Sequence, residues 1–386
     1  MNILILIRFF TPSVGGSELL FCTIAEKLAE NGHKVWVISN KLKGLEYPQH
    51  ENITTVFVST HDKQIIKKWS QFNKIKYFFY TLNAAFKIVR NEKIDIIHTN
   101  PFEPIVVGSI LSFFSSKPHI MTIHDLTPIN KKVLEEWINK TKNKKFKAIL
   151  GSIIMKTIFR LNHAAIHTVS EKSKDDLVSF GEKKPIFVIE NAIPLRERID
   201  VSVNPLQFVY VGRLVLYKNI TIVLQALKLV KKNFPKVIFI IAGDGDYREN
   251  LEKTVIDLGL SDNVFFKGHV SDEEKFQLIS SSVAFIFPSL YEGFGLVILE
   301  AFMKKTPVLV SDVRPLSDIV ENEKTGLVLP VNDEKKWARA MEKLIQYPEL
   351  ALKMGEEARK VFEEKYSMDI FYKQIINMYE KVIKKK

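Results

Sequence analysis

The chain has 386 residues, a formal net charge of +12 and 46% hydrophobic residues. That length exceeds one ordinary core and that composition is normal for globular protein, so a compact soluble body of two domains is expected. The single Cys22 excludes an intramolecular disulfide and suits a reducing cytoplasm, no Cys/His cluster has zinc spacing, and no uninterrupted apolar run approaches the ~20 residues that cross a bilayer.

The first apolar run, residues 3–7, stops at Arg8 and no small-residue cleavage site follows, so it reads as a buried strand and not a signal peptide. Further strand-like runs at 35–39, 94–98, 119–123, 164–169 and 186–189 complete a first set. A second set lies at 208–211, 237–242, 264–267, 283–287 and 307–311. Helical periodicity alternates with these runs, which predicts an α/β fold of doubly wound parallel sheets with helices on both faces. Between the sets, residues 194–205 are polar and lack apolar periodicity, as a linker does. The last segment has helical spacing at Ile370, Phe371, Ile375, Ile376, Tyr379 and Ile383.

The stretch 288–302 carries the strongest chemical signal. The apolar strand 283–287 ends in a loop where Gly293 and Gly295 let the backbone turn closely, and Leu296 begins an apolar helix reaching Lys304. Backbone N–H groups at Phe294, Gly295 and Leu296 then point outward at the positive end of the helix dipole, where hydroxyls and phosphates bind. Glu292 on the loop and Glu300 about one turn into the helix can face one cleft and accept hydrogen bonds from vicinal hydroxyls, as an acid does with ribose in dinucleotide folds. Upstream, Gly212 and Arg213 follow the strand 208–211, and Lys218 follows five residues later. Two cations therefore leave the carboxyl end of one strand, the usual ligand side of an α/β sheet, which points to phosphate binding.

Through these motifs the chain resembles, nearly end to end, a retaining glycosyltransferase of family four, also described as glycosyl transferases group 1. The resemblance implies the GT-B architecture: two Rossmann-like domains facing a central cleft. It implies an acceptor-side domain at 1–197, a nucleotide-sugar domain at 204–366 and a helix at 367–386 that crosses back onto the first domain. By the same resemblance Gly212, Arg213 and Lys218 bind the donor diphosphate, while Glu292 and Glu300 hold donor sugar and ribose. Gly15 and Gly16, in Gly-Gly-Ser-Glu, match the family turn that approaches the diphosphate. His124, followed by Asp125, matches the histidine beside the donor sugar. Gly243 corresponds to an Ala-Gly-x-Gly turn near the nucleotide, and Gly268 and Val270 to positions contacting the base, His269 less so. Ser170-Glu171 and Asn191-Ala192 match weaker family positions and receive no role.

The expected activity is metal-independent transfer, with retention, of a sugar from a UDP-, GDP- or ADP-sugar to a hydroxyl acceptor. The acceptor is a glycan or lipid-linked saccharide of cell-surface polysaccharide synthesis, and the place is the cytoplasm or the inner face of the membrane. Arg213 and Lys218 stabilise the charge growing on the leaving diphosphate, so no cofactor or metal is expected. Two other functions stay open: a nucleotide-sugar 2-epimerase, and a non-catalytic sugar-nucleotide binding subunit. Asp244-x-Asp246 is read as part of a glycine turn and not as a metal site, and Gly15-Gly16 lacks the G-x-G-x-x-G spacing of a dinucleotide fold. His98 is left without a role. Positive charge gathers in residues 62–95, with eight Lys/Arg against three Asp/Glu, and in 131–160, with nine against two. Both segments are rich in bulky apolar residues, among them Trp69, Phe72, Tyr77, Phe78, Phe79, Tyr80, Phe86, Trp137, Phe146 and Phe159. Such composition suits an anionic membrane surface, or else a solvated face above an aromatic core. Nucleic acid is disfavoured, since no recognition motif accompanies the charge.

Overall fold

The computed structural model describes residues 1–11, 15–62, 70–100, 103–124, 157–196 and 201–385. The chain forms two compact units, Met1–Asn191 with Asp369–Lys386, and Ala192–Met368. Unit 1 contains β1 (Asn2–Phe9), β2 (Lys34–Leu42), β3 (Ile53–His61), β4 (Ile96–Asn100), β5 (His119–Thr122), β6 (Ala165–Thr168) and β7 (Ile186–Val188). These make one parallel sheet in the order β3-β2-β1-β4-β5-β6-β7. Its helices are α1 (Gly16–Glu30), α2 (Gln71–Asn91), α3 (Glu103–Ser115) and α4 (Glu171–Ser179). Unit 2 contains β8 (Asn204–Val211), β9 (Ile238–Ala242), β10 (Val264–Gly268), β11 (Ser282–Phe287), β12 (Val308–Ser311) and β13 (Gly326–Leu329). They are parallel too, in the order β10-β9-β8-β11-β12-β13. Around this sheet run α5 (Ile220–Asn233), α6 (Arg248–Asp257), α7 (Asp272–Ser280), α8 (Leu296–Met303), α9 (Leu316–Ile319), α10 (Glu334–Gln346) and α11 (Pro348–Lys365). The C-terminal helix α12 (Met368–Lys384) counts, from Asp369 on, with unit 1.

Each unit is thus a doubly wound, Rossmann-like parallel sheet. Central strands are apolar on both faces because helices cover both: Ile3 to Ile7 of β1 are wholly buried. Two strands were not legible in the sequence, β3 and β13, and both are edges. Along β3, Ile-Thr-Thr-Val-Phe-Val-Ser-Thr-His is mostly half-buried, so it lacks the apolar run that marks a central strand. Strand order reverses at β1/β4 in unit 1 and at β8/β11 in unit 2, where sheets of this kind leave a crevice outside the carboxyl ends.

A buried polar chain ties α12 to the unit 1 sheet. The Tyr379 hydroxyl is hydrogen-bonded to His98 Nδ1 at 2.7 Å, His98 Nε2 to Thr122 Oγ1 at 2.6 Å, and Thr122 Oγ1 to His167 Nδ1 at 2.9 Å. His119 joins separately to Thr99 Oγ1 at 2.8 Å. None of the three imidazoles reaches solvent. His98, left without a role by the sequence, is therefore a structural histidine.

In unit 2, the tips of three strands are laced together by backbone. Gly212 N donates to Ala242 O at 3.0 Å, Leu214 N to Asp244 O at 2.9 Å, and Gly243 N to Gly268 O at 2.6 Å. Gly243 has φ +131°, and a Cβ there would lie 1.9 Å from the Gly212 carbonyl oxygen. Only glycine permits that approach.

Two outcomes are expected. Burial, reinforced by neighbouring imidazoles, holds His98 well below its ordinary value, and burial holds His119 and His167 down to about 3. Unfolded histidine titrates near 6.5, so between these limits the unfolded chain binds more protons and stability falls as the pH drops below about 6.5. The loss is on the order of 2 kcal/mol for each of His119 and His167 at pH 5, and equal urea midpoints at pH 5 and pH 7.5 would contradict it. Separately, Gly243→Ala lowers the unfolding free energy by about 3 kcal/mol through overpacking and strain, read by thermal melting.

Candidate functional site

The site is built on the carboxyl ends of β8 and β11, on either side of the reversal in strand order. After β8, Gly212 takes φ +153°, and the Tyr210 hydroxyl donates to the Arg213 carbonyl at 3.0 Å, which fixes the turn from beneath. The Arg213 side chain is exposed, and its Nη2 donates to the Tyr217 hydroxyl at 2.8 Å. A single 3-10 turn, Leu216–Lys218, follows. It turns Lys218 inward: the ammonium lies 4.6 Å from the Phe287 ring centre and donates to Glu292 Oε1.

After β11, the loop runs from Pro288 to Gly295. Leu290 N donates to Tyr217 O at 2.8 Å, so the two loops are joined by backbone as well as by the Lys218–Glu292 ion pair. Gly295, at φ +108°, precedes α8, which has no side-chain cap. The first N–H groups of such a helix have no intrahelical acceptor and remain donors toward a ligand. Phe294 is buried and its ring packs at 6.1 Å on Tyr366, so this residue presents only backbone to the loop surface.

Glu300 lies in the second turn of α8. Its Oε1 accepts from Lys275 Nζ at 2.7 Å, whereas its Oε2 is buried with no hydrogen-bond partner among the described residues. Burial pushes its carboxyl above the ordinary value and Lys275 pulls it back. Lys275 also lies 3.1 Å from Asp272, and Asp272 accepts from Arg196 Nη2 at 3.0 Å. The cations of Arg196, Lys275 and Lys304 all lie within 5.0 Å of the Phe276 ring centre. Sequence reasoning missed Lys275. No local spacing links it to Glu300, because the two come from successive helices and meet only through the fold.

The remaining positions divide between the units. Gly268, at φ +66°, ends β10 beside the Gly243 turn, and Val270 is half-buried just beyond it. Asp244 Oδ1 accepts from Gly245 N at 2.8 Å, so this carboxylate braces its own turn. Among the described residues no group of three or more His, Cys, Asp or Glu side chains is arranged to hold a metal ion. In unit 1, Gly15 caps α1 in an extended conformation and Gly16 is its first residue. His124 follows β5, and its carbonyl accepts from Ser173 Oγ at 2.9 Å. Ser170, a position without an assigned role, caps α4 by accepting from Ser173 N at 3.1 Å. Asp125 lies outside the described residues, as do 131–156 of the second basic segment.

Comparison with known proteins places both halves. The model of Glycosyltransferase Family 4 matches residues 14–197, and that of Glycosyl transferases group 1 matches residues 194–361. An uncharacterized glycosyltransferase of Methanocaldococcus jannaschii is 28% identical over 96% of each chain. A capsular polysaccharide biosynthesis glycosyltransferase of Staphylococcus aureus is 26% identical over 88% of this chain and 93% of its own. Among solved structures, sucrose-phosphate synthase from Thermosynechococcus elongatus superposes with a TM-score of 0.80 over the whole of both chains, at 19% identity, a likeness of fold alone. With two Rossmann-like sheets, and family models that together run from residue 14 to 361, the chain belongs to the GT-B glycosyltransferases of family four and group 1.

Proposed function

We propose that this glycosyltransferase moves a sugar from a nucleoside diphosphate sugar to a hydroxyl of a glycan or lipid-linked saccharide in cell-surface polysaccharide synthesis, with retained configuration and without a metal ion. The observation that carries the reading is the contact of Lys218 with Glu292 at the reversal point, together with a buried Glu300 oxygen that has no hydrogen-bond partner among the described residues. An exposed guanidinium, a buried ammonium and unpaired helix N–H groups suit a diphosphate. Carboxylates beside them suit sugar and ribose hydroxyls. The capsular polysaccharide relative supports the class of acceptor.

In the proposed mechanism, cleavage of the bond from anomeric carbon to phosphate leaves negative charge on the departing oxygen. Arg213 and Lys218 are in place before that charge develops, so they stabilise the transition state more than the ground state. Backbone donors at Gly16, Phe294, Gly295 and Leu296 share the same work, with Gly15, Gly212 and Gly293 giving the chain room to approach. Glu292 and His124 orient the sugar, Glu300 holds the ribose, and Gly243, Gly268 and Val270 border the base. The acceptor hydroxyl enters on the face that the diphosphate leaves: its oxygen bonds to the anomeric carbon as the bond to the phosphate oxygen breaks, and its proton passes to that departing oxygen, which retains the configuration. The donor is a UDP-, GDP- or ADP-sugar, and the place of action is the cytoplasmic face of an anionic membrane. Among the described residues no helix is long and apolar enough to cross one.

Arg213→Ala is expected to lower kcat about 100-fold, the loss of one transition-state donor, while a chelator leaves the wild-type rate unchanged. An unaltered Arg213→Ala rate, or turnover abolished by EDTA, contradicts the scheme. The Glu300 carboxylate sets a second expectation. Its burial raises the carboxyl and Lys275 opposes this, so Lys275→Met moves the acid limb of the kcat/KM profile to higher pH. A profile that drops in height without moving would assign Lys275 to structure alone.

A further inference from the structure

We propose that the outward face of α2, continued by the end of α3, docks on an anionic lipid bilayer. This refines the membrane location proposed above and rests on surface geometry, not on the transfer chemistry. Helix α2 is apolar on two faces for different reasons. Its inward face puts Tyr77, Thr81 and Ala85 in the core, where the Tyr77 hydroxyl donates to Ile7 O at 3.0 Å, and Phe78 packs partly buried against the same core. Its outward face leaves Phe72 64%, Ile75 56%, Phe79 60% and Phe86 37% exposed. The aromatic surface does not stop there. Phe113 and Phe114 of α3 are each 70% exposed, and the Phe114 ring stands 6.1 Å from that of Phe86. Phe72 and Phe86 are fourteen residues apart, a run of about 21 Å along one helix.

The charge decides the occupant. Helix α2 contains Lys74, Lys76, Lys87 and Arg90 and no Asp or Glu. The Lys76 ammonium lies 4.5 Å from the Phe72 ring centre, and Lys87 and Arg90 are exposed beside Phe86. The acid of α3, Glu103, is engaged by Arg8 and lies 4.0 Å from Lys74. Lysine is depleted in protein interfaces, because desolvating it is costly. At a bilayer the same lysines stay at headgroup level while aromatic rings sink below, and each cation is drawn to the anionic surface. A net cationic rim, on a helix with no acid of its own, around an aromatic centre therefore complements anionic lipid better than a second copy of this positively charged chain.

Flotation of the full chain with vesicles tests the proposal. Vesicles of phosphatidylcholine containing about 30% phosphatidylglycerol are expected to carry the protein at physiological salt, and pure phosphatidylcholine vesicles far less. Phe79→Ser with Phe114→Ser should reduce the floated fraction about tenfold without lowering the melting temperature, since both side chains are exposed. Absence of flotation on anionic vesicles, or equal flotation of the double variant, overturns the proposal. So does a wild-type dimer in sedimentation that the double variant dissolves, since this face would then be a protein interface. A thermal-shift measurement with UDP-, GDP- and ADP-sugars on the same samples reads donor binding alone, so failure of docking and failure of the transfer reading are told apart.

Discussion

The arrangement at the ends of β8 and β11 depends on one buried ion pair, Lys218 with Glu292. Their side chains are only 9% and 14% exposed, and a charge so placed without a counterion costs several kcal/mol. Each residue therefore requires the other. The 3-10 turn that directs Lys218 inward and the loop that carries Glu292 are consequently fixed together, with the Leu290–Tyr217 backbone bond as a second tie. Replacement by a well-packed apolar pair would hold the loops as well or better, since buried ion pairs add little net stability. Retaining charge here makes sense if the charges meet a ligand. A diphosphate would give the ammonium a second anion, and a sugar would give the carboxylate donors in place of part of the ammonium.

Glu300 presents the complementary case. One oxygen is held by Lys275, and the other is buried without a partner among the described residues. An orphaned carboxylate oxygen in a folded protein costs free energy comparable to a lost charge-assisted hydrogen bond, and it persists where something outside the chain satisfies it. Lys275 keeps this group aimed, and Asp272 with Arg196 keeps Lys275 aimed. The two acids thus differ in kind. Glu292 is coupled to Lys218 of the neighbouring strand end, whereas Glu300 is held by Lys275.

The alternating pattern of the sequence made the α/β class readable because central strands such as β1 and β11 are continuous buried apolar runs separated by helical periodicity. Edge strand β3 escaped because it is mostly half-buried and mixes polar with apolar residues, and β13, though mostly buried, escaped because it is only the four residues Gly-Leu-Val-Leu. The glycines were readable for a different reason: Gly212, Gly243, Gly268 and Gly295 occupy backbone conformations that other residues adopt only with strain. Pairing was not readable. Lys218 with Glu292, Lys275 with Glu300 and His98 with Tyr379 join residues 74, 25 and 281 positions apart, and nothing in local spacing encodes such contacts. The aromatic-rich basic segment was ambiguous in the sequence because one helix serves both purposes: Tyr77 and Phe78 face the core, and Phe72 and Phe79 face away from it. The exposure of Phe113 and Phe114 is not legible in the sequence, since α3 is apolar along most of its length and its end looks like more core.

The excess of +12 does not describe one surface. At the candidate donor site cations and acids are interleaved: Lys218 touches Glu292, Lys275 touches Asp272 and Glu300, and Arg196 touches Asp272, while Arg213 meets the Tyr217 hydroxyl. Fields of mixed sign cancel within about a Debye length, so such a site holds a ligand by fitted contacts and not by long-range attraction. A nucleoside diphosphate sugar, anionic at one end and neutral at the other, matches that alternation. A nucleic acid, charged evenly along its length, does not, because it would bring phosphates against the carboxylates. The α2 face is the opposite, with cations and no acid of its own. Its net positive field extends outward and is suited to a planar anionic surface, where contact area counts and fitted geometry does not.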